Sequence, residues 1–173
     1  MRPTWVEVDT GNIAKNIERV RAAIPGKTQI MAVVKADGYG HGAVPVAIAA
    51  LKSGAAFLGV ALVEEGIALR RAGIVAPILF MEALFPWQAP DLVRYGLTAA
   101  VASYESADVL SESAALLGRK AKVHIKVDTG MGRLGLPPES IPGLVRHISG
   151  LPRLEIEGIF THLACAESDP SMT

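Results

Sequence analysis

The sequence predicts an α/β fold of the (β/α)8 TIM-barrel type that is incomplete, with about six of the eight β/α units that close such a barrel. Short apolar runs rich in β-branched residues recur along the chain, and stretches with helical periodicity lie between them. Each intervening stretch is long enough to hold a helix, which a parallel crossover needs and a hairpin does not. The predicted strands are 29–35, 56–61, 77–81, 97–102, 122–128 and one within 153–163.

Apolar spacing and end signals predict a helix before or between these strands. The first, 11–24, has apolar residues on one face, an N-cap at Asp9 or Thr10, and Pro25-Gly26 as its stop. Ser103 is a suitable N-cap for a later helix. The remaining predicted helices are 43–52, 63–72 before Gly73, 87–95 before Gly96, 103–117 and 137–148.

An open doubly wound sheet is the alternative architecture for such a succession of strands and helices. That fold usually carries a phosphate-binding loop of the pattern G-x-G-x-x-G in its first crossover. The glycines here are Gly38, Gly40 and Gly42, and their spacing does not match that pattern. The sequence therefore favours the barrel over a dinucleotide-binding fold.

Composition and charge exclude several classes of function. A chain of 173 residues, half of them hydrophobic, is long enough for one sizeable core. Its 17 Lys and Arg balance 17 Asp and Glu without a basic block, which argues against a nucleic-acid partner. Charges among residues 1–9 argue against a signal peptide, and no uncharged run of about 18 residues could span a membrane. The single cysteine, Cys165, can form no intrachain disulfide, so we expect a soluble cytoplasmic protein.

Polar residues follow the first predicted strand in the stretch MAVVKADGYGHG, residues 31–42. Lys35 would lie at the carboxyl end of this strand, where (β/α)-barrel enzymes place their active sites. A lysine that forms a Schiff base reacts as the neutral amine, which partial burial favours, and the glycines would let a bulky ligand approach the backbone. An ordinary strand-end lysine that reaches solvent beside a glycine loop explains the same pattern.

The fifth predicted strand carries a second set of charged residues in VHIKVDTGMGRLG, residues 123–135. Lys126 lies inside an apolar strand, where an ammonium group is costly unless it is paired or neutralised. Asp128 would share the strand face of Lys126, and Arg133 on the following glycine loop would suit an oxyanion or a carboxylate. The alternative is a solvated pair of Lys126 and Asp128, with Arg133 as a surface residue.

The sixth predicted strand ends in GIFTHLACAESD, residues 158–169. His162 follows Thr161 at that end, so it would lie at the same rim as the other two sets of polar residues. That position is the reason to consider a functional role, because a lone histidine is more often structural. Cys165 has no base near it in the sequence, and a small buried residue is a simpler interpretation than a nucleophile.

Four stretches together resemble the alanine racemases, which are fold-type III pyridoxal-phosphate enzymes. The stretches are RPTWVEVDTGNIAKNI, AVVKADGYGHG, KVDTGMGRLG and EGIFTHLACA, and they occur in the family's order over essentially the whole chain. The resemblance implies an isomerase that uses pyridoxal 5'-phosphate to interconvert L-alanine and D-alanine, and so supplies D-alanine for bacterial peptidoglycan. It also implies a homodimer.

The resemblance assigns a role to each candidate residue. Lys35 would bind pyridoxal phosphate covalently and act as the base on one face of the substrate carbon. Tyr39 would lie near the cofactor phosphate, and His162 near the cofactor ring. Arg133 would bind the phenolic oxygen of the cofactor and help to place the substrate carboxylate. Lys126 matches a lysine that is carbamylated in many members, and such a carbamate would orient Arg133; no metal is implied.

The chain differs from the family in its extent. Residues 10–173 resemble part of the pyridoxal-phosphate barrel, and 1–9 resemble a strand that belongs with a C-terminal β-rich domain, which we expect to lie outside this chain together with the last two barrel strands. In the family, a tyrosine of that domain in a partner subunit is the second base. We therefore expect an N-terminal fragment that is inactive alone. A non-catalytic, single-domain pyridoxal-phosphate protein of the same barrel type is the alternative, although such proteins lack the KVDTGMGRLG loop.

Overall fold

The computed structural model describes residues 3–167, and the boundary between its two compact units falls after Ile78. Among the described residues, six strands follow one another in chain order in a parallel sheet. The strands are β1 (Ile30–Val33), β2 (Ala55–Val60), β3 (Ile78–Phe80), β4 (Thr98–Val101), β5 (Ala121–Lys126) and β6 (Leu154–Phe160).

Helices occupy the segments between the strands. They are α1 (Thr10–Ala23), α2 (Lys35–Tyr39), α3 (Ala43–Lys52), α4 (Val63–Arg71), α5 (Ala89–Arg94), α6 (Tyr104–Leu116) and α7 (Ile141–Gly150), with 3-10 turns at Pro86–Gln88 and Pro138–Ser140. Asp9 caps α1 by accepting a hydrogen bond from the Gly11 N–H at 2.8 Å, and Ser103 caps α6 through the Ser106 N–H at 3.1 Å. No helix within residues 3–167 has the length and apolar character needed to cross a bilayer.

The first unit contains β1 and β2, which pair in parallel with Met31 opposite Phe57. Leu58 in β2 is fully buried, and its N–H donates a hydrogen bond at 2.9 Å to the carbonyl of Pro77 just before β3. The Val34 N–H donates to the Gly59 carbonyl at 2.8 Å, which extends the pairing one residue past β1. Backbone hydrogen bonds to β2 therefore fix the chain as far as Val34, the residue before Lys35.

The second unit contains β4, β5 and β6, again in parallel pairing, with Ala99 opposite Val123. Val123 in β5 and Ala99 and Val101 in β4 are fully buried, and helices α5, α6 and α7 of the same unit each bury apolar residues. The pairing of β5 with β6 shifts register, because Ile156 pairs with Val123 whereas Gly158 pairs with His124. Glu157 is thus the extra residue of a β-bulge, an irregularity that is rare in parallel sheets and common beside functional sites.

The predicted fold class is confirmed, since six parallel strands alternate with helices as the sequence indicated. Five strands end earlier than predicted, and two of them, β1 and β5, end two residues early. β1 stops because the backbone becomes left-handed at Ala36, where φ is 51°. β5 ends at Lys126 rather than at Asp128, because the Asp128 N–H donates to the carbonyl of Leu136 in its own loop at 2.9 Å.

Two predicted helices begin with a 3-10 turn instead of an α-helical one. The predicted helix 87–95 is divided between the 3-10 turn and α5, and Pro86 and Pro90 lie near the start of each part. A proline lacks the backbone N–H and is tolerated only in the first turn of a helix, so each one marks a new start. Residues 4–9 form no strand in the described part of the chain, and their predicted membership of a second domain stays a prediction.

Candidate functional site

Lys35 lies half-buried at the carboxyl end of β1, as the sequence predicts, and it begins the short segment α2. The residues that follow are left-handed, with φ of 51° at Ala36, 52° at Asp37, 63° at Gly38 and 56° at Tyr39. A non-glycine residue in this conformation costs roughly 1–2 kcal/mol. Three of these four consecutive residues are not glycine, so contacts from elsewhere in the unit hold the turn in place.

The carboxylate of Glu65, on α4, supplies one of these contacts. It accepts a hydrogen bond from the Ala36 N–H at 2.6 Å, from the Ala61 N–H at 2.9 Å and from the Leu62 N–H at 3.0 Å. Hydrogen bonds to an ionised carboxylate are stronger than those between neutral groups. Glu65 therefore ties the residue after Lys35 to the loop that follows β2.

The other end of the left-handed turn is held by Asp37 and Gly38. The Asp37 carboxylate accepts a hydrogen bond from the Ala43 N–H at 2.8 Å, so it caps the start of α3. Gly38 is buried, and a Cβ atom built there would lie 3.1 Å from Cγ2 of Val46. The glycine is thus required both by its positive φ and by the close approach of α3.

Tyr39 ends this turn with 60 % of its surface exposed. Its predicted position near a cofactor phosphate stays a prediction. His41 forms a hydrogen bond between its Nδ1 and the carbonyl of Gly38 at 3.1 Å. This histidine therefore supports the turn.

Lys126 is the last residue of β5 and is only 4 % exposed. Its Nζ lies 4.6 Å from the centroid of the Phe160 ring. Burial lowers the pKa of Lys126, and the positive charge of Arg133 lowers it further, against the opposing effects of Asp128 and Glu82. Lys126 therefore loses its proton, and becomes a neutral amine, at a lower pH than an ordinary surface lysine does.

Asp128 binds its own loop rather than Lys126. Its carboxylate accepts hydrogen bonds from the N–H groups of Gly132 and Gly130, each at 3.0 Å, and these bonds hold the pKa of Asp128 below its ordinary value. The ion pairs found within residues 3–167 do not join Asp128 to Lys126. The alternative in which the two residues form a solvated pair is therefore wrong, because Lys126 is buried and Asp128 is used as a loop acceptor.

The loop carries Arg133, which is exposed, between two contacts with the strand end. The Leu136 N–H donates to the Lys126 carbonyl at 3.1 Å, and the Asp128 N–H returns a bond to the Leu136 carbonyl at 2.9 Å. Gly135 permits this closure, because a Cβ there would lie 2.6 Å from the Asp128 nitrogen. The loop therefore presents a guanidinium close enough to affect the charge state of Lys126.

The end of β6 lies beside the same loop. The Thr161 hydroxyl donates to the Val127 carbonyl at 2.9 Å and lies 2.7 Å from the Thr129 hydroxyl. His162 follows and is exposed, and Cys165 is a half-buried free thiol. Thr161 thus fixes the strand end, whereas the predicted contact of His162 with a cofactor ring stays a prediction.

Sequence reasoning missed a cluster of four polar side chains on β4, β5 and β6, namely Thr98, Lys122, His124 and Glu157. The Glu157 carboxylate accepts hydrogen bonds from Lys122 at 2.5 Å and from Thr98 at 3.1 Å, and it lies 3.4 Å from Nε2 of His124. The available signal was the alternation of basic residues at 122, 124 and 126, which puts all three on one face of β5.

The structure distributes the predicted residues over the two units. Lys35 and Tyr39 belong to the first, and Lys126, Arg133 and His162 to the second. Lys35 suits covalent attachment of an aldehyde better than Lys126 does, because Lys35 is half-buried and Lys126 is enclosed. The exposed guanidinium of Arg133 suits an anionic oxygen. Each unit by itself thus offers a group that fits pyridoxal phosphate: the first offers the amine of Lys35 for its aldehyde, and the second offers the guanidinium of Arg133 for an anionic oxygen.

A parallel α/β sheet with charged side chains at the carboxyl ends of its strands is the arrangement of (β/α)-type enzymes, which bind small molecules at that end. The family model described as alanine racemase, N-terminal domain, matches residues 8–173. The chain belongs to this family.

Individual relatives agree with the family match. The alanine racemase of Symbiobacterium thermophilum is 51 % identical over 96 % of this chain and 44 % of the relative. The solved alanine racemase of Clostridium difficile 630 superposes with a TM-score of 0.91 and 38 % identity, over 96 % of this chain and 44 % of that one. The Bacillus anthracis alanine racemase with bound L-Ala-P gives a TM-score of 0.90 and 39 % identity, over 99 % and 45 %. The chain thus spans less than half the length of the curated relatives it matches.

Proposed function

We propose that this chain is the cofactor-binding part of an alanine racemase and that Lys35 is the residue to which pyridoxal phosphate attaches. The single observation that carries the proposal is the half-buried Lys35 at the carboxyl end of β1, followed by a turn that Glu65 holds in an unfavourable backbone conformation. Family membership and the bound L-Ala-P of the Bacillus anthracis relative support alanine as the substrate.

The chemistry that pyridoxal phosphate supplies when bound is electron withdrawal, which makes the Cα proton of an amino acid acidic. Lys35 then removes or returns that proton at one face of the carbon through its Nζ. The Arg133 guanidinium would bind the phenolic oxygen of the cofactor and orient the substrate carboxylate by donating to its oxygens. Tyr39 would donate its hydroxyl to the phosphate, and His162 would pack beside the ring.

Inversion needs a second acid–base group on the opposite face of the carbon. We assign that group to a part of the complete protein that this chain does not include, since the chain matches 44 % of the Symbiobacterium thermophilum relative. The chain alone is then expected to bind the cofactor weakly and to leave alanine unchanged, because removing one member of a catalytic set abolishes most of the rate.

The remaining features follow from the same proposal. The complete protein is a homodimer in the cytoplasm and provides D-alanine for peptidoglycan. A non-catalytic pyridoxal-phosphate protein of the same barrel type is the second candidate, and the loop from Asp128 to Gly135 favours the racemase, because such proteins lack the KVDTGMGRLG motif to which it belongs.

Reductive trapping tests the site. The purified chain is incubated with pyridoxal phosphate, reduced with borohydride and mapped by peptide mass spectrometry. We expect the label on Lys35, its loss in Lys35→Arg, and no loss in Lys52→Arg, a matched change of an exposed lysine at the end of α3. A label on another lysine would overturn the site. Alanine racemisation is assayed on the same sample, and robust turnover would show that a second base lies within these residues.

A further inference from the structure

One face of β5 and β6 joins the polar cluster of Thr98, Lys122, His124 and Glu157 to Lys126. His124 pairs with Gly158 and Lys126 with Phe160 in the register of the two strands. A Cβ at Gly158 would lie 3.0 Å from Cε1 and Nε2 of His124, so the imidazole rests directly on the backbone of that glycine. The His124 ring is therefore held against Gly158, two residues before Phe160 in β6.

The Phe160 ring is contacted by both neighbours. The His124 and Phe160 centroids are 6.2 Å apart with the ring planes at 62°, which is an edge-to-face arrangement. The Lys126 Nζ lies 4.6 Å from the Phe160 centroid. This distance is within the range at which the negative face of an aromatic ring attracts an ammonium group.

The Glu157 carboxylate contacts His124, Thr98 and Lys122. Its Oε2 lies 3.4 Å from Nε2 of His124 and accepts from the Thr98 hydroxyl at 3.1 Å, while its Oε1 accepts from Lys122. Burial raises the pKa of Glu157, but the hydrogen bonds from Lys122 and Thr98 outweigh it and leave the pKa below its ordinary value. The carboxylate therefore stays ionised. Glu157, the extra residue of the bulge, is the acceptor that links Lys122, Thr98 and His124.

We propose that Phe160 is a positioning residue for Lys126: its ring face holds the amine at the end of β5 and stabilises the ammonium form, and His124 holds the ring. Burial disfavours the ammonium form of Lys126, whereas the ring face favours it. The ring therefore shifts the balance toward the charged amine. For catalysis this inference rests on the proposed function, because only a neutral Lys126 could be carbamylated. The geometry of the amine and the ring does not depend on that function.

Other charges act on Lys126 as well. Arg133 on the following loop favours the neutral amine, and Asp128 and Glu82 favour the ammonium. A change at Phe160 leaves these three charges in place. A smaller side chain also reduces the burial of Lys126, which would raise its pKa, so a fall of the titration midpoint reports the loss of the ring face. The chain also offers a matched control, since the Phe85 ring stacks on Trp87 with centroids 4.7 Å apart and is 51 % exposed.

The test is an NMR titration of the full chain labelled with carbon-13 at lysine, without cofactor or substrate, with the Lys126 signal assigned from Lys126→Arg. In Phe160→Leu we expect the titration midpoint of Lys126 to fall by about one pH unit. Phe160→Tyr keeps the ring and should restore the midpoint, and Phe85→Leu should leave it unchanged. An unchanged midpoint in Phe160→Leu would overturn the proposal.

The unmodified chain gives a second readout of the placement of the amine, and the variant His124→Asn tests the role of the histidine. The ε-methylene protons of Lys126 should resonate upfield of those of exposed Lys52, because they lie over the ring, and His124→Asn should reduce that displacement. Equal shifts for the two lysines would contradict the placement of the amine, and an unchanged displacement in His124→Asn would contradict the role of His124. If trapping fails at Lys35 while these shifts appear, the proposed function is wrong and the role of Phe160 stands.

Discussion

The Glu65 carboxylate accepts a hydrogen bond from the Ala36 N–H at 2.6 Å, and this bond ties α4 to the residue that follows Lys35. Two further backbone N–H groups, those of Ala61 and Leu62, donate to the same carboxylate. The left-handed turn after Lys35 thus depends on a side chain 29 positions away in the sequence. The geometry of the candidate lysine is a tertiary property of the unit.

Glu65→Gln should therefore weaken the turn. We expect the free energy of unfolding to fall by about 2–3 kcal/mol, because a neutral amide replaces a charged acceptor of three hydrogen bonds. The matched control is Glu64→Gln, an exposed neighbour in the same helical turn, which should change stability by no more than about 0.5 kcal/mol. Urea denaturation of both variants measures the difference. Equal effects would mean that the Glu65 carboxylate does not hold the turn.

The left-handed backbone makes a second prediction about Ala36. Ala36→Gly should raise the free energy of unfolding by about 1 kcal/mol, because glycine adopts a φ of 51° without the strain that alanine carries. Ala49→Gly, in the right-handed helix α3, is the control and should lower it by about 1 kcal/mol. Opposite signs for the same chemical change, measured by urea denaturation, are the expected outcome. Destabilisation by both substitutions would rule out strain at Ala36.

The sequence was sufficient to predict the elements that arise from local patterns. Asp9 and Ser103 are the N-caps that their residue types indicate, and the predicted helix 43–52 matches α3. Apolar runs located all six strands, and the signal is continuous in β3 and β4, which are buried on both faces. Lys35 follows the end of β1 as predicted, whereas Lys126, which was predicted inside the strand 122–128, is the last residue of β5.

The features that the sequence did not reveal depend on distant contacts. Four consecutive residues from Ala36 to Tyr39 are left-handed, and Glu65 and α3 supply the contacts that hold this turn. Thr98 and Glu157 are 59 positions apart, and the bulge that brings them together has no local signature. The Asp128 carboxylate accepts hydrogen bonds from N–H groups of its own loop. The alternation of side chains along a strand does not indicate such bonds.

Two glycines of the Arg133 loop form a matched pair for a third prediction. Gly130 and Gly135 share a φ of 128°, but a Cβ at Gly130 meets nothing within 4 Å, whereas one at Gly135 lies 2.6 Å from the Asp128 nitrogen. Gly130→Ala should lower the free energy of unfolding by about 1 kcal/mol from backbone strain. Gly135→Ala should lower it by a further 1–3 kcal/mol or so, because backbone atoms must move.

Thermal denaturation and limited proteolysis of the loop measure this pair. The Gly135→Ala variant should also be cleaved near Arg133 faster than the Gly130→Ala variant, since its loop closure on Lys126 is disturbed. Equal stability of the two variants would show that the loop relaxes around an added methyl group. In that event the contact with the strand end does not fix Arg133.

Asp128 gives the chain a predictable response to acid. Its pKa is held below the ordinary value by hydrogen bonds from Gly132 and Gly130, so the unfolded chain takes up a proton before the folded one. The stability that this carboxylate contributes is complete above the ordinary value, near pH 4, and is lost as the pH falls through the lowered pKa. Asp128→Asn should remove this part of the acid dependence, measured as the denaturation midpoint between about pH 2.5 and 7. Glu112→Gln, an exposed site on α6, should retain it.

Lys126 carries the last prediction, which concerns the complete protein. Carbamylation joins the neutral Lys126 nitrogen to the carbon of carbon dioxide and releases one proton, so it requires an amine that has lost its charge. Burial and Arg133 lower the pKa of Lys126 and favour that form, and the carbamate would carry a negative charge beside the Arg133 guanidinium. We expect a carbamate signal in carbon-13 spectra with labelled bicarbonate, lost in Lys126→Arg and kept in Lys122→Arg, a control on the exposed part of the same strand. In Arg133→Met the signal should weaken, because the anion loses its partner. A bare amine at Lys126 under ample bicarbonate would contradict the prediction and would leave Phe160 as the group that stabilises the charged side chain.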